Sequence, residues 1–145
     1  MATSQLERAP DADWIGLGLP IVRYNGGYFK PKKNTDLIWS SILLILGTPI
    51  GTRPMVPEFG SRFVDMIFEP NDSVLVRTAQ REVVSAISRW EPRVEIQEAS
   101  VIPDENVLAL TIRFTLVSDP GRPPEGRQFL IARDSAFRVV DQVVF

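Results

Sequence analysis

Hydrophobic positions along the chain fall into two helical stretches followed by alternating ones. Ile38, Ser41, Ile42 and Ile45 recur at three- and four-residue steps, and Trp39, Leu43 and Leu46 widen that stripe. Asn34 or Thr35 is suited to cap this helix, and Asp36 sits in the first turn, where the helix dipole favours an acid. The helix is expected to run through Leu46, with Gly47 and then Pro49 supplying the stop. So much of its surface is apolar that it must be central to the core or covered by a partner. A second helix is predicted from Ser73 to Trp90, with Val76, Ala79, Val83, Ile87 and Trp90 on its buried face. Arg77, Arg81, Glu82 and Arg89 lie mostly elsewhere. Pro92 ends it, because the residue before a proline resists the helical region.

Alternation then takes over. Val94 and Ile96 share one parity and Ala99 and Val101 the other, which places a bulge near Glu98. After a turn at Pro103-Asp104-Glu105-Asn106, residues Leu108, Leu110, Ile112, Phe114 and Leu116 alternate without error. Thr111, Arg113 and Thr115 face out. A Pro/Gly loop from Asp119 to Gly126 precedes a third strand at Phe129 to Ala132, completing an antiparallel meander. Upstream, Leu19 to Arg23 and Tyr28-Phe29 flank Asn25-Gly26-Gly27, a hairpin turn signal.

The expected fold class is α+β, with two main helices packed on a small antiparallel sheet and joined by a long Pro/Gly-rich connection. That connection, Thr48 to Arg62, holds Pro49, Pro54 and Pro57, and regular structure is not expected there. Met55, Val56 and Phe59 argue that it is ordered. Phe63 to Phe68 is expected to form a short helical turn, and Pro70-Asn71-Asp72-Ser73 to start the second helix. The expected organisation is an arm at 1–18, an α+β domain at 19–133 and an apolar tail at 134–145.

Composition narrows the chemistry. With 145 residues, 44% hydrophobic and 23% charged, the chain can build one ordinary core. It has no Cys and no His, so Ser-His-Asp, Cys-His and thiolate-metal arrangements are impossible within it. No cofactor is expected. Net charge is −2 and the basic residues are dispersed, which argues against a nucleic-acid partner. The polar start, Met1 to Asp13, does not read as a secretory signal, and the apolar run Ile42 to Leu46 is too short for a bilayer. Cytoplasmic synthesis and no membrane partner are therefore expected.

Four motifs occur in order: Ile42-Leu43-Leu44-Ile45-Leu46-Gly47-Thr48, Arg53-Pro54-Met55-Val56-Pro57-Glu58-Phe59-Gly60, Phe68-Glu69-Pro70-Asn71-Asp72 and Trp90-Glu91-Pro92-Arg93. Together, over about Leu19 to Leu130, they resemble the phage baseplate-wedge proteins known as sheath initiators, historically called the tail lysozyme-like family. The resemblance implies a non-enzymatic structural protein in the virion's tail baseplate, made in the cytoplasm of the host bacterium. Its implied partners are the wedge core-bundle proteins, contacted through Glu91, Pro92 and Arg93, the first ring of sheath subunits, docked by β-strand addition, and the tail tube.

From the residues themselves, Glu91 and Arg93 could equally be a helix-terminal ion pair, worth at most about 1 kcal/mol if exposed. With the resemblance, Arg93 is expected to reach a partner and Glu91 to orient it. Arg53, Pro54, Pro57, Glu58 and Phe59 form either a partner surface or a core plug filled by Phe59 and Met55. Trp39 and Trp90 read as core. Trp14 either anchors on a neighbour or folds back on its own domain. The tail, with Val139, Val140, Val143, Val144 and Phe145, either packs on its own sheet or pairs with a sheath subunit; the resemblance needs the second. The rival function is a peptidoglycan-cleaving glycosidase, for which Glu58, Asp65, Glu69 and Glu91 are the available carboxylates.

Overall fold

The structure, a computed structural model, describes residues 14–19, 21–23, 29–66, 68–70, 72–103, 107–132 and 140–144. The Asn25-Gly26-Gly27 turn, Val139 and Phe145 lie outside them, as does most of the turn after Pro103. The chain forms two compact units, residues 1–43 and 44–145. It is an α+β protein with a two-stranded and a four-stranded antiparallel sheet.

In the first unit, strand β1 (Ile15–Gly16) pairs with β2 (Lys32–Lys33), which leads directly into helix α1 (Asn34–Gly47). Trp14 and Asn34 clasp this junction: Asn34 N–H donates to Trp14 O at 3.0 Å, and Trp14 N–H donates to Asn34 Oδ1 at 3.3 Å. Asn34 adopts φ 44°, a left-handed conformation that asparagine tolerates. Trp14 is thus bound back to its own unit. Lys32 Nζ donates to Leu19 O and to Ser40 Oγ, the latter at 3.1 Å. Ile38, Trp39 and Ile42 are buried, as their spacing predicts.

Helix α1 ends in the second unit, where Ile45 and Leu46 are buried and Leu44 is exposed. A loop follows and is tied off at its base. Ser61 N–H donates to Thr48 O at 3.0 Å, Ser61 Oγ donates to Leu46 O at 3.1 Å, and Phe63 N–H donates to Ser61 Oγ at 3.3 Å. Higher up, Gly51 N–H donates to Pro57 O at 2.7 Å. The backbone passes so closely that a Cβ on Gly60 would lie 2.1 Å from Thr48 O, and Gly60 has φ +113°. Ser61 is a buried polar residue, satisfied by these bonds.

Short helix α2 (Phe63–Met66) buries Phe63 and Met66 and packs on α3 (Ser73–Trp90). Asp72 is the N-cap, its Oδ1 accepting from Leu75 N–H at 2.6 Å. The buried face of α3 is Leu75, Ala79, Val83, Ala86 and Ile87. Val76 and Trp90, expected in that face, are only half-buried. The four-residue rhythm from Leu75 carries the stripe, and Val76 stands one residue, about 100°, around the helix from it.

Helix α3 packs on β3 (Val94–Pro103), the first strand of a sheet ordered β3-β4-β5-β6. Register shifts between Ile96 and Glu98, the bulge that the change of parity predicts. Strand β4 (Val107–Leu116) buries Leu108, Leu110, Ile112, Phe114 and Leu116. Strand β5 (Glu125–Ala132) starts four residues earlier than its apolar residues suggest. Pairing decides this: Glu125 to Gln128 lie opposite Phe114 to Thr111, and that ladder overrides weak strand propensity. Strand β6 (Val140–Val144) pairs antiparallel with β5, so this part of the tail joins its own sheet as an edge strand.

Gly60→Ala should be strongly destabilising, because it adds a methyl against a carbonyl and demands a left-handed alanine. We expect a loss of about 2–4 kcal/mol in urea denaturation.

Candidate functional site

Two of the sequence motifs meet at the C-terminal end of α3. The first is the loop between residues 48 and 62. Phe59 stacks on Trp90 with ring centroids 5.2 Å apart and planes tilted by 58°. Arg53 lies over the other ring of this pair, its guanidinium carbon 4.4 Å from the Phe59 centroid. Arg89 sits 5.1 Å from the Trp90 centroid and forms a salt bridge with Glu58. Arg62 N–H donates to Glu82 Oε1 at 3.0 Å, a further stitch between loop and helix.

Magnitudes rank these contacts. The Glu58–Arg89 pair is well exposed on both sides and contributes at most about 1 kcal/mol. The aromatic pair adds roughly 0.5–1.5 kcal/mol beyond the area it buries. Phe59 and Trp90 therefore hold the loop, and the arginines finish the stack. The plug reading fails for Met55, which is 98% exposed and sits at φ 68°. Phe59 is half-buried and turned to Trp90, so Trp90 serves as the loop's platform and is not a core residue.

The second motif is the corner where α3 becomes β3. Glu91 N–H donates to Ile87 O at 2.7 Å and closes the helix. Pro92 is exposed, and Arg93 O accepts from Val117 N–H at 3.0 Å, which ties the corner to the end of β4. Glu91 is 3% exposed. Arg93 holds it in a two-pronged fork, Nε to Oε1 and a terminal nitrogen to Oε2, both at 2.6 Å. The hydrogen bond to Glu91 raises the Arg93 pKa, against a smaller lowering by desolvation. The pair is therefore not the exposed, weak one that an ion pair at a helix end suggests. Glu91 is buried, while the Arg93 side chain keeps 30% of its surface in solvent.

The remaining candidates are separate. Phe68 is exposed, and Asp65 and Glu69 lie at the surface around α2. Val140, Val143 and Val144 are in β6 at the sheet edge. Sequence reasoning missed Ser61, Glu82 and Arg89 as parts of the loop's anchorage. Arg89 and Glu58 are 31 residues apart, and no local pattern links them. No helix among the described residues is long and apolar enough to cross a membrane.

Loop and corner both fall inside the stretch that places the chain among known proteins. The family Baseplate wedge protein gp25 matches residues 33–121. The chain belongs to this baseplate wedge family of contractile tails. It is 36% identical over 85 residues to the baseplate wedge protein gp25 of Enterobacteria phage T4, a match covering 57% of this chain and 64% of that protein. The chain thus spans less than two thirds of that relative's length. Among solved structures, it resembles a Geobacter sulfurreducens protein provisionally named a tail lysozyme, with TM-score 0.57 and 31% identity over 68% of this chain and 91% of that one. It also resembles a chain of the post-contraction baseplate of pyocin R2, with TM-score 0.57 and 27% identity over 71% of this chain and 98% of that one.

Arg93→Ala should cost about 2–4 kcal/mol in urea denaturation, because it strands a buried carboxylate; the Arg93 exposure keeps the figure below that of a fully buried pair. The double change Glu91→Leu with Arg93→Met should cost much less, since neither charge is then left alone.

Proposed function

We propose that this chain is a non-enzymatic wedge component that docks on a helical core bundle of neighbouring wedge proteins. It then starts sheath assembly by offering a sheet edge to the first ring of sheath subunits. Family membership carries this reading, because the matched stretch contains both the loop and the Glu91-Pro92-Arg93 corner. The corner has suitable chemistry. Pro92 fixes the turn, Glu91 orients the guanidinium from within, and the exposed part of Arg93 can meet a carboxylate or helix C-terminus. Among the loop residues, Glu58 and Phe59 hold the loop on α3, while Arg53, Pro54 and Pro57 face solvent.

For sheath docking, the support is β6. It is an edge strand with a backbone ladder to β5 on one side, and strand addition needs an edge of that kind. Val140, Val143 and Val144 belong to that strand, and Val139 and Phe145 flank it in the sequence. The tail tube is a further neighbour in this reading, and synthesis takes place in the host bacterial cytoplasm. A glycosidase requires a carboxylic acid free to give its proton to the leaving group. Glu91 and Glu58 are instead engaged by Arg93 and Arg89, and Asp65 and Glu69 lie exposed.

The test is co-expression with the core-bundle proteins of the same tail. The wild-type chain should co-purify with them, and Arg93→Ala should not, while keeping its native circular dichroism spectrum at the assay temperature. Equal recovery of both would remove the corner's role. Deleting residues after Asp134 should leave a soluble domain that still joins the wedge but no longer supports sheath polymerisation. Normal sheath on that variant would remove the role of β6.

A further inference from the structure

We propose that Met55 and Arg53 form a preorganised contact that inserts into another baseplate protein, at an apolar socket bordered by a carboxylate. The inference rests on the wedge reading above, but assigns docking to residues that the corner does not include. Three observations converge on it.

Met55 is 98% exposed, far beyond what its apolar side chain favours in an isolated chain. It holds φ 68°, where a residue with a Cβ is strained and glycine would be at ease. The loop beneath it is closed at its base by Ser61 and Gly60 and fastened to α3 by the Phe59–Trp90 stack. A long flexible thioether is thus carried at the tip of a fixed support. The Pro54-x-x-Pro57 spacing does not make a polyproline II ligand here, since φ 68° at Met55 takes the backbone out of that helix.

Arg53 sets the partner's charge. Its guanidinium stacks on Phe59, and among the described residues no carboxylate pairs with it. Glu58, on the same loop, is already engaged by Arg89. The loop tip therefore presents the Arg53 cation beside the protruding Met55 side chain, with Val56 and Ile50 also exposed. The complement is an acidic residue at the rim of an apolar hollow. A planar guanidinium held on an aromatic face is well suited to a two-pronged bond with such a carboxylate.

Baseplates assembled with the chain's own neighbours provide the test, using four forms of the full-length chain. A photo-crosslinking amino acid at position 55 should join the chain to one neighbouring protein, at a peptide carrying apolar residues and an Asp or Glu. Arg53→Glu should reduce incorporation at least tenfold. Met55→Gly should reduce incorporation roughly tenfold without lowering Tm, because the change relieves backbone strain while deleting the contact. That opposition of signs separates docking from folding. If wild-type chain enters the particle but position 55 crosslinks to nothing, and both variants incorporate normally, the inference is overturned and the wedge reading stands. If wild-type chain is absent from the particle, both are overturned.

Discussion

The end of α3 depends on a buried carboxylate being satisfied. Glu91 sits where helix gives way to strand, and burying its charge unpaired would cost several kcal/mol. Arg93, two residues on, answers it with both prongs of the guanidinium. Pro92 between them cannot continue a helix, so the chain turns while the two charged side chains close over the turn. The backbone of Arg93 then binds Val117, fixing β3 against the end of β4. This ion pair closes the corner, while the apolar face of α3 packs the helix on β3. It also fixes the position of Trp90, the residue immediately before it, on which the loop rests.

Seen from the loop, the same end of α3 is an anchor. Tying off the base with Ser61 bonds and a close backbone crossing at Gly60 shortens the free segment to a few residues. Stacking Phe59 on Trp90 removes most of its remaining freedom. Ordering entropy is thereby spent during folding, so the docking proposed for this loop would not have to supply it. Prolines at 54 and 57 act in the same direction, by limiting the unfolded chain.

Sequence alone carried much of this fold, for identifiable reasons. Leu108 to Leu116 alternates over a whole strand, and the parity change after Ile96 marks the bulge, because side-chain direction in a strand follows a strict two-residue rule. Helix α3 is long and periodic, and Asp72 and Pro92 bracket it. What was not legible is non-local. Trp90 fits the periodicity of a buried face, yet its true neighbour is Phe59, 31 positions earlier, which no helical rule can reveal. Met55 looks like filling because it is apolar, and only its backbone angle and exposure show that it points away. Glu125 to Gln128 join β5 because β4 offers them a ladder, not because they prefer extended backbone.

The bulge has a directional consequence. At one border of the four-stranded sheet, β3 carries an extra residue, and Glu95, Gln97 and Glu98 are all exposed along it. An irregular, acidic margin is a poor template for a newcomer, and α3 leans on that same strand. The opposite border, β6, has a regular ladder and reads Val-Asp-Gln-Val-Val. The two margins are chemically unequal: β3 is bulged, acidic and covered by α3, whereas β6 keeps a continuous antiparallel ladder to β5. The strand-addition role proposed above therefore falls to one margin of the sheet and not to both.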